Sequence, residues 1–254
     1  MSLKNKYLFF ILLLCPLLIQ AQSSEEWRNK NWNPKKGNYF FNKMLSWRFV
    51  DEMSEDEDFR EGININVYID EKTGTFLFTP EAYVNSGPMI DFVIADQNGK
   101  YIVGYSLEHD GKGYEIYAME DVAELKQNPN QQPENFARFF KNTGKKKIFG
   151  ENRYGWPTLT GDEYKIVFPD MEEEPTVAHI APMPYSLLPI YKFNALGIEA
   201  KLPFHFDYAD FIPAHQLLLS EYSENNGRKT ELVFDSFSDA EYYINLNEYK
   251  KLKQ

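Results

Sequence analysis

The stretch Gly62-Ile63-Asn64-Ile65-Asn66-Val67-Tyr68-Ile69-Asp70 alternates between apolar and polar residues. In an extended chain successive side chains point to opposite sides, so Ile63, Ile65, Val67 and Ile69 share one face and Asn64, Asn66, Tyr68 and Asp70 the other. A segment of this kind buries one face and wets the other. It predicts a sheet that packs a core against at least one side.

Reading outward from this strand, Glu71 to Gly74 form a turn into a second strand over Thr75 to Thr79. Met89 to Asp96 and Lys100 to Leu107 flank Asn98-Gly99, a pair that tolerates the positive φ of a tight hairpin. His109 to Gly113 then turn the chain into Tyr114 to Met119. The five segments predict an antiparallel meander.

The middle of the chain changes period. Val122 and Leu125 within Glu120 to Asn128, and Phe136, Phe139 and Phe140 within Pro133 to Asn142, fall at helical spacing. Pro133 suits a first turn and Gly144 a C-terminal cap. Strand-like segments resume at Tyr164 to Phe168, Thr176 to Ala181, Ile190 to Ala195, Ala200 to Asp207, His215 to Tyr222, Thr230 to Phe237 and Glu241 to Tyr249. About a dozen strands is near the limit for an open sheet, so the sheet is expected to curl. The fold class is β-dominated and mainly antiparallel: a strongly curved, half-barrel-like or barrel sheet with one or two short helices as lid.

The N-terminus reads differently. Lys4 and Lys6 precede an apolar run from Tyr7 to Ile19, and Gln20-Ala21-Gln22 follow, the order of a secretory signal peptide. The run is short for a transmembrane helix, which needs about 20 residues, and contains Pro16. The expected organisation is a signal peptide over 1–21, a polar and partly irregular leader over 22–61, and a single β-rich domain over 62–254. Cys15 lies inside the apolar run, between Leu14 and Pro16, in a poor context for lipidation. Removal of 1–21 takes away the only cysteine. The remaining chain is expected to be periplasmic or secreted, stabilised by its core and not by disulfides.

Composition narrows the function. Of 254 residues 38 are acidic and 27 basic, which argues against a nucleic-acid binder, and 20 Phe, 17 Tyr and 4 Trp argue against disorder. No nucleophile elbow, phosphate-binding loop or dinucleotide fingerprint is present in the sequence. No cofactor and no catalytic residue are expected. The polar constellation with the most chemistry is His205, Asp207 and His215, with His179 as a further donor. His205 and Asp207 would share one face of a strand, as a metal site needs, but without a third ligand at fixed spacing simple alternation of apolar and polar residues is the better account. The acidic runs Glu55 to Asp58 and Asp170 to Glu174 lack the spacing of a calcium loop.

The candidate ligand-binding residues are Phe136, Phe139, Phe140 and Trp156, with Arg138, Lys141, Lys145, Lys146 and Lys147 beside the first three. Trp156 lies in a loop, and the helix of Phe136, Phe139 and Phe140 forms either a lid over a concave sheet, able also to touch a membrane surface, or a plug whose apolar face fills the sheet while its lysines are solvated.

Two windows, Phe92 to Leu107 (FVIADQNGKYIVGYSL) and Leu232 to Tyr249 (LVFDSFSDAEYYINLNEY), resemble the strand-turn-strand and closing strands of the LolA-like lipoprotein-carrier half-barrel and of related small secreted domains. The resemblance implies a curved sheet wrapping short helices, with a concave apolar surface for an acyl chain or another hydrophobic ligand. It implies no catalytic residues. The expected function is non-catalytic binding of an apolar or amphipathic ligand, such as a lipid, in the bacterial envelope. One alternative is an interaction module contacting protein or glycan through Trp27, Trp32 and Trp156. Another is a metal-dependent hydrolase using His205, Asp207 and His215.

Overall fold

The computed structural model describes residues 26–83, 89–107, 111–120, 122, 133–150, 157–167, 176–201, 210–225 and 227–252. The expected signal peptide, Trp156, His109, His205 and Asp207 lie outside them.

The described strands are β1 (Asn38–Asp51), β2 (Ile63–Asp70), β3 (Thr75–Phe78), β4 (Met89–Ala95), β5 (Lys100–Leu107), β6 (Gly111–Ala118), β7 (Phe140–Phe149), β8 (Leu159–Ile166), β9 (Thr176–Pro182), β10 (Gln216–Asn225), β11 (Arg228–Asn245) and β12 (Lys250–Lys251). They form one curved, unclosed sheet in the order β12-β6-β5-β4-β3-β2-β1-β11-β10-β9-β8-β7. Neighbours pair antiparallel except β12, which lies parallel to β6. The topology is thus two meanders, β1 to β6 and β7 to β11, joined where the first strand pairs with the second-to-last.

The alternation at 63–70 behaves as its chemistry requires. Ile65, Val67 and Ile69 are fully buried in a large inner cluster with Trp47, Phe49, Phe76, Val93, Tyr101 and Phe234. Tyr68 faces the other way and packs on an outer cluster of Tyr39, Phe41, Leu77, Phe92, Ile94, Ile102, Ile244 and Leu246. The sheet therefore carries a core on both faces, and this is why β3 and the end of β4 are buried at every position and almost wholly apolar.

Four segments depart from the expected elements. The polar, partly irregular leader expected over 22–61, ahead of the β-rich domain, contains β1, which lies at the centre of the sheet between β2 and β11. Its pattern is hard to read because the strand changes face: Tyr39 and Phe41 point to the outer cluster, Leu45, Trp47 and Phe49 to the inner one, across a register shift between Phe41 and Lys43. The helix expected over 133–142 is a single turn, Phe136–Phe139, and the chain enters β7 at Phe140. Gly144 (φ +79°) caps no helix but sits in a bulge opposite β8, where its N–H is taken by the Asn142 side chain at 2.7 Å. The strand expected over 190–195 is a short helix, Leu188–Tyr191, followed by a 3₁₀ turn, Phe193–Leu196; Pro189 starts the first, and Gly197 (φ +72°) ends the second. Finally, the two closing strands are one, β11, with bulges.

The segment 183–193 fills the inner face. Tyr185, Leu187, Leu188, Ile190, Tyr191 and Phe193 are all buried. Tyr185 meets Phe76 edge-on and Phe193 packs on Phe78 and Tyr83. Polar anchors fix the segment: Tyr101 donates to the Pro189 carbonyl at 3.2 Å, and Gln97 bridges Gly74 and Ser186. On the outer face, the helical turn at 26–31 is held by Arg28, whose guanidinium grips Asp70 with two bonds of 2.6 and 2.7 Å. Among the described residues no helix is long and apolar enough to cross a membrane.

Candidate ligand-binding groove

Phe139 and Phe140 are buried in the inner cluster, and Phe136, half-buried, stacks on Phe140 at 5.0 Å and leans on Tyr164. The structure thus brings three of the expected ligand residues together, at the start of β7, as a packed aromatic group. Trp27 is exposed, while Trp32 packs edge-on against Tyr39 and Phe41.

An open groove of about 370 Å³ lies at the other end of β7. Its walls come from three strands distant in sequence: Arg48 and Val50 of β1, Glu231, Val233, Phe234 and Asp235 of β11, and Lys147 to Phe149 of β7 with Gly150 after it. The first two walls follow from register, since Arg48 lies opposite Val233 and Val50 opposite Glu231. The third wall needs curvature. In the sheet order, β8, β9 and β10 stand between β7 and β11, yet a Cβ on Gly150 would lie 3.9 Å from the Asp235 carbonyl. The C-terminal half of the sheet curls until its edge strand meets β11, an extreme of the twist that strands adopt. Gly150 takes φ +85° to make that approach, with the Pro157 carbonyl 3.4 Å from where a Cβ would stand.

The lining mixes apolar and charged residues: Val50 and Val233 are half-buried, Ile148 is 68% exposed, and Phe149 and Phe234 are buried. The rim is charged. Asp235 is the extra residue of a bulge, because Ser46 pairs with Ser236 and Trp47 with Phe234. Arg48 is tethered by a bond of 2.7 Å to the Glu61 carbonyl, and the Lys147 ammonium lies 5.0 Å from the centre of the Phe149 ring.

Among solved structures, the chain is similar to LprF from Mycobacterium bovis, at 11% identity over 85% of this chain and 93% of that one, with a TM-score of 0.25. It is also similar to a Vibrio parahaemolyticus domain provisionally assigned as an outer membrane lipoprotein-sorting protein, at 8% identity over 85% and 91% of the two chains, with a TM-score of 0.15. At these scores the likeness says nothing about function. No family model matches the chain. No curated protein matches it either.

Behind the Phe149 wall runs a row of polar side chains. Glu163 and His179 are direct cross-strand partners on β8 and β9, and His179 is the partner of Ser220 on β10. His179 Nδ1 lies 2.8 Å from Ser220 Oγ, and its Nε2 lies 3.7 Å from Glu163 Oε2. Burial pushes the imidazole pKa down; Lys147 adds to this and Glu163 opposes it. Glu163 is held below the ordinary carboxylate range, first by the Thr143 hydroxyl that donates to it at 2.8 Å and then by Lys145 and His179, against a partial burial penalty. The residue types are those of a nucleophilic triad. The geometry is not: the carboxylate is beyond hydrogen-bonding distance of the ring, and Ser220 is buried. The row is a structural support for the groove wall, through the edge-on contact of Phe149 with His179 at 5.2 Å.

His215, the remaining member of the expected metal group, is half-buried, and its carbonyl accepts from Met183 at 2.8 Å. Among the described residues no three His, Cys, Asp or Glu side chains are placed to hold a metal ion. The groove residues were invisible to motif reading because their positions, near 48, 148 and 233, share no spacing. The one local signal was Ile148, an aliphatic residue in a lysine-rich run.

Proposed function

We propose that this is a non-catalytic binding protein of the bacterial envelope that holds the chain of an amphipathic ligand in the groove between β7, β11 and β1. The observation that carries the reading is an open groove in which the apolar side chains of Val50, Ile148 and Val233 stand among the charged residues Arg48, Lys147, Glu231 and Asp235. Its volume of about 370 Å³ is at the small end of ligand pockets, enough for one chain and part of a head. Each methylene buried there would contribute about 0.8 kcal/mol before ordering costs. The basic, apolar and small-residue order of residues 1–21 supports placing the protein outside the cytoplasm.

The aromatic group at Phe136, Phe139 and Phe140 is a weaker candidate, because a ligand would have to displace side chains already packed on one another. Titration calorimetry with dodecyl maltoside, an uncharged single-chain amphiphile, is the test. The native protein should bind it, and Val233→Asp should bind at least tenfold more weakly. Equal binding by Val233→Asp and native protein, with loss instead in Phe136→Ala, would move the site to the aromatic group.

A further inference from the structure

The groove rim carries both signs of charge. Arg48 and Lys147 are cationic, Glu231 and Asp235 anionic, and among the described residues none of the four takes part in an ion pair. Other surface charges nearby are paired, Lys145 with Glu163 at 3.6 Å and Lys146 with Asp162 at 3.0 Å. The placement of the four follows from the fold. Arg48 stands opposite Val233, and Glu231 and Asp235 flank Val233 two residues to either side on β11, while Lys147 comes from the opposing wall on β7. The Asp235 bulge and the curl of β7 together bring these charges around one groove, beside Val50, Ile148 and Val233.

Such a rim discriminates by charge. A purely anionic head would gain from Arg48 and Lys147 but meet Glu231 and Asp235, and a purely cationic head would meet the reverse. A head that carries both charges can place each beside its opposite. We propose that the groove selects a single-chain zwitterionic amphiphile, with its anionic group toward Lys147 and Arg48 and its cationic group toward Glu231 and Asp235. This inference rests on the groove being the ligand site.

The experiment uses four probes with one tail: dodecylphosphocholine, dodecyl sulfate, dodecyltrimethylammonium and dodecyl maltoside, each titrated calorimetrically below its micelle threshold. Dodecylphosphocholine should bind tightest. Each singly charged probe should be weaker by about two- to fivefold, the range that exposed charge pairs contribute. Glu231→Lys should shift the preference toward dodecyl sulfate, and Lys147→Glu toward dodecyltrimethylammonium. Equal affinity for all four probes, or an unchanged order in both variants, would overturn the head-group inference while leaving the groove in place. Binding of none of the four would remove the groove reading and this one with it.

Discussion

The indole N–H of Trp47 donates to the carbonyl of Leu218 at 3.0 Å, 171 residues later in the chain and two strands away across the sheet. Leu218 lies beside a register shift in the β9–β10 ladder, between Leu218 and Ser220, and just before the β10–β11 pairing that starts at Ser220. One side chain on the central strand thus ties the two meanders together. Trp47→Phe keeps most of the packing against Phe234 and loses the bond, so it should cost about 1–2 kcal/mol in urea unfolding. Trp47→Ala, which empties a fully buried site, should cost about 3–5 kcal/mol. Equal losses in the two variants would mean that the bond, and not the ring, dominates.

Arg28 and Asp70 form a buried, bidentate pair, and Asp70 also accepts from the backbone and hydroxyl of Thr73. The Arg28 guanidinium lies 5.2 Å from the Trp32 ring centre as well. Removing one partner of a buried pair leaves the other charge uncompensated, so Arg28→Ala should destabilise by about 3 kcal/mol. Arg28→Lys keeps the charge but not the fork and should recover only part of this. Thermal unfolding followed by tryptophan fluorescence would measure both; a loss under about 1 kcal/mol for Arg28→Ala would show that residues 26–31 add little to the fold.

Gly104 lies directly opposite Phe92, and the ring covers it: a Cβ there would stand 2.3 Å from Phe92 Cε1. Gly104→Ala should therefore cost about 1–3 kcal/mol through overpacking, although φ at this position is ordinary. Combined with Phe92→Leu, the same substitution should cost less than it does alone. A double-mutant cycle gives the coupling, and strict additivity of the two changes would refute the ring-on-glycine account.

His179 and Glu163 make stability depend on pH in one direction. Both pKa values are depressed in the folded chain, so as pH falls the unfolded state binds protons first and folding weakens. The contribution of His179 is complete above its unperturbed value of 6.5 and is lost as pH drops below it. That of Glu163 is complete above 4.5 and is lost below that. Urea midpoints measured from about pH 7.5 down to about pH 5 should fall for the native protein and stay flatter for His179→Asn. Parallel curves would dissociate the loss from His179.

Much of the sheet was legible because period-two patterns are local. Ile63 to Asp70 and the Asn98-Gly99 hairpin needed only their own residues to declare strand and turn. The missed elements failed for physical reasons. β1 hides its alternation by changing face at Phe41 to Lys43, β7 begins within an aromatic triplet that also fits a helix, and Ile190 to Phe193 is apolar enough to pass for a strand. The groove had no sequence signature, since its walls meet only when the sheet curls.

The sequence by itself determined that this chain makes an antiparallel, aromatic-rich sheet without a recognisable catalytic motif, because alternation, turn residues and composition act over a few positions at a time. Only the tertiary structure decided that β1 occupies the centre of that sheet, that both faces carry a core, and that Arg48, Lys147, Glu231 and Asp235 surround one groove. Those outcomes depend on strand order, bulges and twist, which are settled by pairing between segments far apart in the chain.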